Sequence, residues 1–166
     1  MKLKISLFLF SFSLLMLSLM AVYKAQAQST PTPDIIFDQQ FNVPGSDQQQ
    51  TGKLGPGVNL SFSISQTSTV YLNLTTNLPS PTLNVYILFP DDYAVYKATG
   101  SLAKATPIKD LSRLNTVSYK AKGVLTTGTY GVVVQWAQSK MYDSQPSVHL
   151  EVDAAKYVPV TPTPNP

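Results

Sequence analysis

Apolar and polar residues alternate with a period of two along several stretches of this chain, and that alternation leaves little freedom in the choice of fold. In "VNLSFSIS" (58–65), Val58, Leu60, Phe62 and Ile64 alternate with Asn59, Ser61, Ser63 and Ser65. In "TVYLNLTT" (69–76), Val70, Leu72 and Leu74 alternate with Tyr71 and Asn73, and in "SVHLEVD" (147–153), Val148, Leu150 and Val152 alternate with His149, Glu151 and Asp153. Successive side chains of a strand point to opposite faces, so each stretch reads as a strand with one dry and one wet face. "TLNVYILF" (82–89) and "GTYGVVVQWA" (128–137) are apolar at both parities and read as central strands. "DIIFDQQFNV" (34–43) and "NTVSYKAKG" (115–123) are weaker strands.

Between these runs, "GPG" (55–57), "LPSP" (78–81) and "TTG" (126–128) supply turn chemistry. "SLAKATPIKDLSRL" (101–114) has room for one short helical turn, limited by Pro107. About seven short strands at regular spacing predict an all-β chain, a single antiparallel β-sandwich of jelly-roll-like form. Its core is the dry faces of two sheets packed about 10 Å apart.

The ends of the chain are of another kind. Lys2 and Lys4 precede an apolar run from Ile5 to Val22, followed by Ala25-Gln26-Ala27. A basic segment, an apolar segment and a small-x-small end read as a secretory signal peptide, residues 1–27, cut after Ala27. Left uncut, the apolar run is a membrane anchor, and the only contact with a membrane is through it. Either way the remainder lies outside the cytoplasmic membrane, since the lysines stay inside. No cysteine follows the apolar run to carry a lipid. "STPTPD" (29–34) and "VPVTPTPNP" (158–166) alternate Pro with Thr, which favours extended, solvated backbone. They mark a linker at 28–33 and a tail at 158–166 around a sandwich domain at 34–157.

Charge narrows the range of functions. The chain has 12 Lys and Arg against 9 Asp and Glu. Lys2, Lys4 and Lys24 belong to the signal segment, leaving 9 basic against 9 acidic side chains. The basic balance is therefore a property of the export signal, and nucleic acid, which needs a basic face, is not an expected partner. With 0 cysteines the domain relies on its core rather than on disulfides.

Two stretches resemble the bacterial pre-peptidase C-terminal domain, a secreted jelly-roll-like β-sandwich found beside exported hydrolases. Asn84-Val85-Tyr86-Ile87-Leu88-Phe89-Pro90 is similar to that family's D-L-Y-V-Y-D-P strand, and Gly128-Thr129-Tyr130-Gly131-Val132-Val133-Val134 to its later G-T-Y-x-V-x-V strand. The resemblance covers roughly Asp34 to Asp153 and implies an exported accessory domain. Asn84 and Phe89 replace both acids of the first motif, so a calcium site built on them is not implied here.

Chemistry-bearing residues are sparse. Asp91 and Asp92 follow Pro90, and the turn preferences of Pro and Asp predict a solvated turn joining "NVYILF" to "YAVYKA". A Ca²⁺ loop needs six to eight oxygens. Asp143 and Asp47 are the acids that would join Asp91 and Asp92 there, without any D-x-D-x-D-G loop to support it. No cofactor is expected. His149 is the one histidine and Glu151 the one glutamate. Both lie on the wet face of their strand with Ser147, a surface arrangement rather than a nucleophile–base pair. No G-x-S-x-G, H-E-x-x-H or P-loop occurs.

Aromatic residues are the remaining candidates. Trp136 shares the parity of Tyr130, Val132 and Val134 and is expected at the end of a core strand, with sugar stacking as its functional alternative. Tyr71 and Tyr86 lie opposite the main apolar sets and are better platform candidates than Trp136, brought side by side if their strands are adjacent; a covered outer face buries them instead. The leading expectation is an exported, non-catalytic accessory or surface domain that binds a glycan or an envelope protein. A structural or chaperone-like envelope component is the alternative, and a secreted hydrolase the third. The expected location is secreted, periplasmic or at the cell surface.

Overall fold

A computed structural model describes residues 31–44, 57–77, 83–137 and 145–159. The elements lie within a unit that begins at Thr32. The strands are β1 (Asp34–Asn42), β2 (Val58–Ile64), β3 (Ser68–Thr76), β4 (Leu83–Leu88), β5 (Arg113–Thr116), β6 (Tyr119–Leu125), β7 (Gly128–Trp136) and β8 (Ser147–Lys156), with one helix, α1 (Pro90–Thr99), between β4 and β5. One sheet has the order β1-β8-β3-β6 and the other β2-β7-β4-β5. The recorded strand pairings are antiparallel. Eight strands in two four-stranded sheets of this interleaved order make a jelly roll. Among the described residues, no helix is long and apolar enough to cross a membrane.

The alternating residues do what their period requires. Val70, Leu72 and Leu74 of β3 and Val148, Leu150 and Val152 of β8 meet Phe62 and Ile64 of β2, Val85 and Ile87 of β4, and Tyr130, Val132 and Val134 of β7 in one buried core. The Phe62 and Tyr130 rings stack with centroids 5.8 Å apart. Each fully buried aliphatic or aromatic side chain contributes about 1.5–3 kcal/mol.

β4 and β7 are central in their sheet, as their double-sided apolarity predicts, and α1 covers their outward apolar residues. Tyr93 and Tyr96 of the helix are buried against Leu88 and Val133, on the side of the sheet away from the main core. Gly131 makes this approach feasible, because a Cβ there would lie 2.1 Å from Tyr93 Cδ2.

The helix corrects the sequence reading of Asp91 and Asp92. They occupy the first turn of α1 rather than a turn between two strands, and "YAVYKA" is helical. Pro90 stands where a missing N–H costs nothing, and acids are favourable at a helix N-terminus. Lys97 lies in the last turn, and Gly100 closes the helix in the left-handed region at φ 68°. Its N–H donates to the Tyr96 carbonyl at 2.7 Å.

"NTVSYKAKG" also departs from expectation. It forms two strands, with Thr116 at the end of β5 and Tyr119 at the start of β6, and these belong to opposite sheets. Asn115 takes a positive φ of 53°, and its N–H is held by Asn84 Oδ1 at 2.9 Å. The single helical turn expected near Pro107 runs from Ile108 to Ser112, whose N–H donates to the Ile108 carbonyl at 2.9 Å.

Candidate functional site

The outer face of the β1-β8-β3-β6 sheet, over which no other described element packs, collects most of the chemistry-bearing side chains that the sequence puts on wet strand faces. Register sets them in three rows. Gln40, His149 and Thr75 form one, and Asp38, Glu151, Asn73 and Lys120 the next. Ile35, Asp153, Tyr71 and Lys122 form the third.

A β-bulge creates this alignment. Ile35 pairs with Asp153, but Phe37 pairs with Val152, so Ile36 is an extra residue in β1. The shift turns Phe37 toward the core and sets Asp38 on the outer face, opposite Glu151. Bulges re-aim side chains in this way at sheet edges.

Asp38 Oδ1 lies 2.7 Å from His149 Nε2. One ligand atom from each of Asp38, His149 and Glu151 falls within 4.8 Å of the others. Asp153 Oδ1, in the next row, is buried without a hydrogen-bond partner among the described residues. Ser147 Oγ accepts from Gln40 Nε2 at 2.8 Å, so the hydroxyl nearest His149 along β8 is engaged with β1.

The three aromatic candidates occupy three different settings. Tyr71 is half-buried on the open face with the Lys122 ammonium 5.2 Å from its ring centroid. Tyr86 is half-buried on the other sheet, beside the Tyr93–Tyr96 cluster under α1. β3 and β4 therefore do not bring the two rings side by side, because these strands belong to opposite sheets. Trp136 packs against the main core at the end of β7, as its parity predicts, and its indole N–H donates to the Pro44 carbonyl at 2.9 Å.

Asp91 and Asp92 lie at the N-terminus of α1, on the other side of the sandwich from Asp38, while Asp47 and Asp143 lie outside the described residues. Two buried hydroxyls complete the electrostatic picture. Burial pushes the Tyr119 hydroxyl well above the usual tyrosine range, with Arg113 opposing, and that hydroxyl donates to the Leu111 carbonyl at 3.0 Å. Burial also raises Tyr96, against the lowering influence of Asn59.

The part of this site that sequence reasoning missed is Asp38. His149 and Glu151 share a face by their spacing alone, but nothing local announces that an acid 111 residues away from His149 faces them.

No known protein family matches the chain, and no curated protein does. Solved structures similar to it include the pre-peptidase C-terminal domain of a collagenase from Bacillus anthracis, at 8% identity and a TM-score of 0.46, covering 71% of this chain and 89% of that domain. A full particle of Israeli acute paralysis virus heated to 63 degrees is another, at 10% identity and a TM-score of 0.35, covering 76% of this chain and 71% of that one.

Proposed function

We propose that this chain is an exported, non-catalytic accessory or surface domain that binds an extracellular polysaccharide across the open face of the β1-β8-β3-β6 sheet. One observation carries the reading: α1 packs on the outer side of one sheet, while the outer face of the other presents Tyr71 among Gln40, Asn73, Thr75, Lys120 and Lys122. Strands spaced about 4.8 Å apart set such side chains in a flat grid. A polyhydroxylated chain needs amide, hydroxyl and ammonium groups in such a grid, with an aromatic ring for the sugar's apolar face. Export rests on the signal-like N-terminal pattern, and places the domain in the medium, the periplasm or at the cell surface.

A single exposed site of this kind has modest affinity, on the order of micromolar to millimolar. The test is retention of the purified protein on a panel of immobilised polysaccharides and peptidoglycan. Retention is expected, with a loss of about tenfold in Tyr71→Ala (about 1.4 kcal/mol) and little change in Tyr86→Ala, whose ring lies under the helix. Retention by peptides or envelope protein alone replaces the glycan with a protein partner. Release of product that stops in His149→Ala makes the domain an enzyme.

A further inference from the structure

Across the β1–β8 ladder, Asp38 stands directly opposite Glu151, and Asp153 adds an acid one row along. Like charges directly opposite one another on a sheet destabilise it. The rest of the face does little to offset this. Lys120 shares the row of Glu151, but Asn73 of β3 stands between them. Lys122 is placed over the Tyr71 ring. Glu151 has no side-chain partner among the described residues, and the one imidazole of the chain is set against Asp38.

We propose that Asp38, His149 and Glu151 bind one divalent cation of the zinc class. The donor set selects the metal. One imidazole nitrogen with two carboxylate oxygens suits zinc, cobalt or nickel. Calcium and magnesium prefer oxygen alone and more of it. Zinc bonds these atoms at about 2.0–2.2 Å, so an ion seated among them requires donor pairs about 3–4 Å apart. The three ligand atoms already fall within 4.8 Å. Seating the ion opens the 2.7 Å contact between His149 Nε2 and Asp38 Oδ1 slightly and draws the Glu151 carboxylate in. With His149 44% and Asp38 54% exposed, the remaining coordination positions face solvent. Water, or an oxygen of a molecule lying across the face, takes them. The cation cancels the Asp38–Glu151 repulsion, and the site stands whether or not the same face binds a polysaccharide.

The sequence makes the test unusually clean, because the chain has 1 histidine and 0 cysteines. Calorimetric titration of the untagged protein with zinc chloride is expected to give one site with a Kd of about 1–100 µM. Calcium chloride at the same concentrations gives no saturable heat. His149→Ala and Glu151→Gln each raise the zinc Kd at least tenfold, while Asp110→Asn, an acid away from the face, leaves it unchanged. In unsubstituted protein, cobalt chloride shifts the single set of imidazole proton resonances, a readout that depends on no variant folding. Absence of saturation below 1 mM zinc, an unshifted imidazole, or unchanged affinity in His149→Ala overturns the proposal.

Discussion

The outer face of β2-β7-β4-β5 is covered by α1, and among the described residues no element covers that of β1-β8-β3-β6. On the first, Gly131 and Val133 of β7 alternate with core residues, and Tyr93 and Tyr96 descend from α1 onto them. On the second, the same parity holds His149, Glu151 and Asp153 on β8 and Tyr71 and Asn73 on β3. Both sheets share one core, so the difference lies wholly in what each strand carries at alternate positions. Doubly apolar strands need a lid, and strands that are polar on one side remain free to meet a ligand.

The largest expected effect breaks the covered face. Gly131→Ala places a Cβ where the Tyr93 ring lies, and overpacking of this severity costs about 3 kcal/mol. Asn73→Ala, at the corresponding parity of the open sheet, changes stability by no more than about 0.5 kcal/mol. Urea denaturation of the two variants makes the comparison, and equal midpoints contradict it.

A smaller effect comes from alkali. Burial keeps the Tyr119 and Tyr96 hydroxyls protonated in the folded protein beyond pH 10, where the unfolded chain begins to release those protons. Their contribution is therefore fully present below pH 10 and is lost as pH rises from there toward the folded-state values. The thermal midpoint should hold up to about pH 10 and then fall. Tyr119→Phe should flatten the fall, at a cost of about 1 kcal/mol at neutral pH for the lost bond to Leu111. A midpoint that does not move between pH 9 and pH 11 removes the argument.

Much of the sandwich was legible because alternation is a local signal. The strands carrying Val58 to Ile64, Val70 to Leu74 and Val148 to Val152 point their apolar sets inward as read, and the central places of β4 and β7 follow from their double-sided apolarity. The helix was misread although its punctuation is present: Pro90, two acids in the first turn, Lys97 in the last and Gly100 beyond it. Its buried residues are Tyr93 and Tyr96, whose partners Leu88 and Val133 lie on two different strands. No short window of sequence contains that fit.

The candidate site divides in the same way. His149, Glu151 and Tyr71 are on wet faces by spacing alone, but which sheet they share with which partners is a matter of topology. Asp38 arrives through an edge-strand register and a one-residue bulge, neither of which the local pattern encodes. Tyr86 has the same local appearance as Tyr71 and ends on the other sheet.

Hydroxyl-radical footprinting, read by mass spectrometry with and without the polysaccharide that retains the protein, tests most directly whether the open face is the working one. Tyr71 and His149 should lose reactivity when the polysaccharide is bound. Phe89 and Val95, exposed on the helix side, should not change. Protection at Phe89 and Val95 with Tyr71 and His149 unaffected would put the contact over α1 and contradict the account.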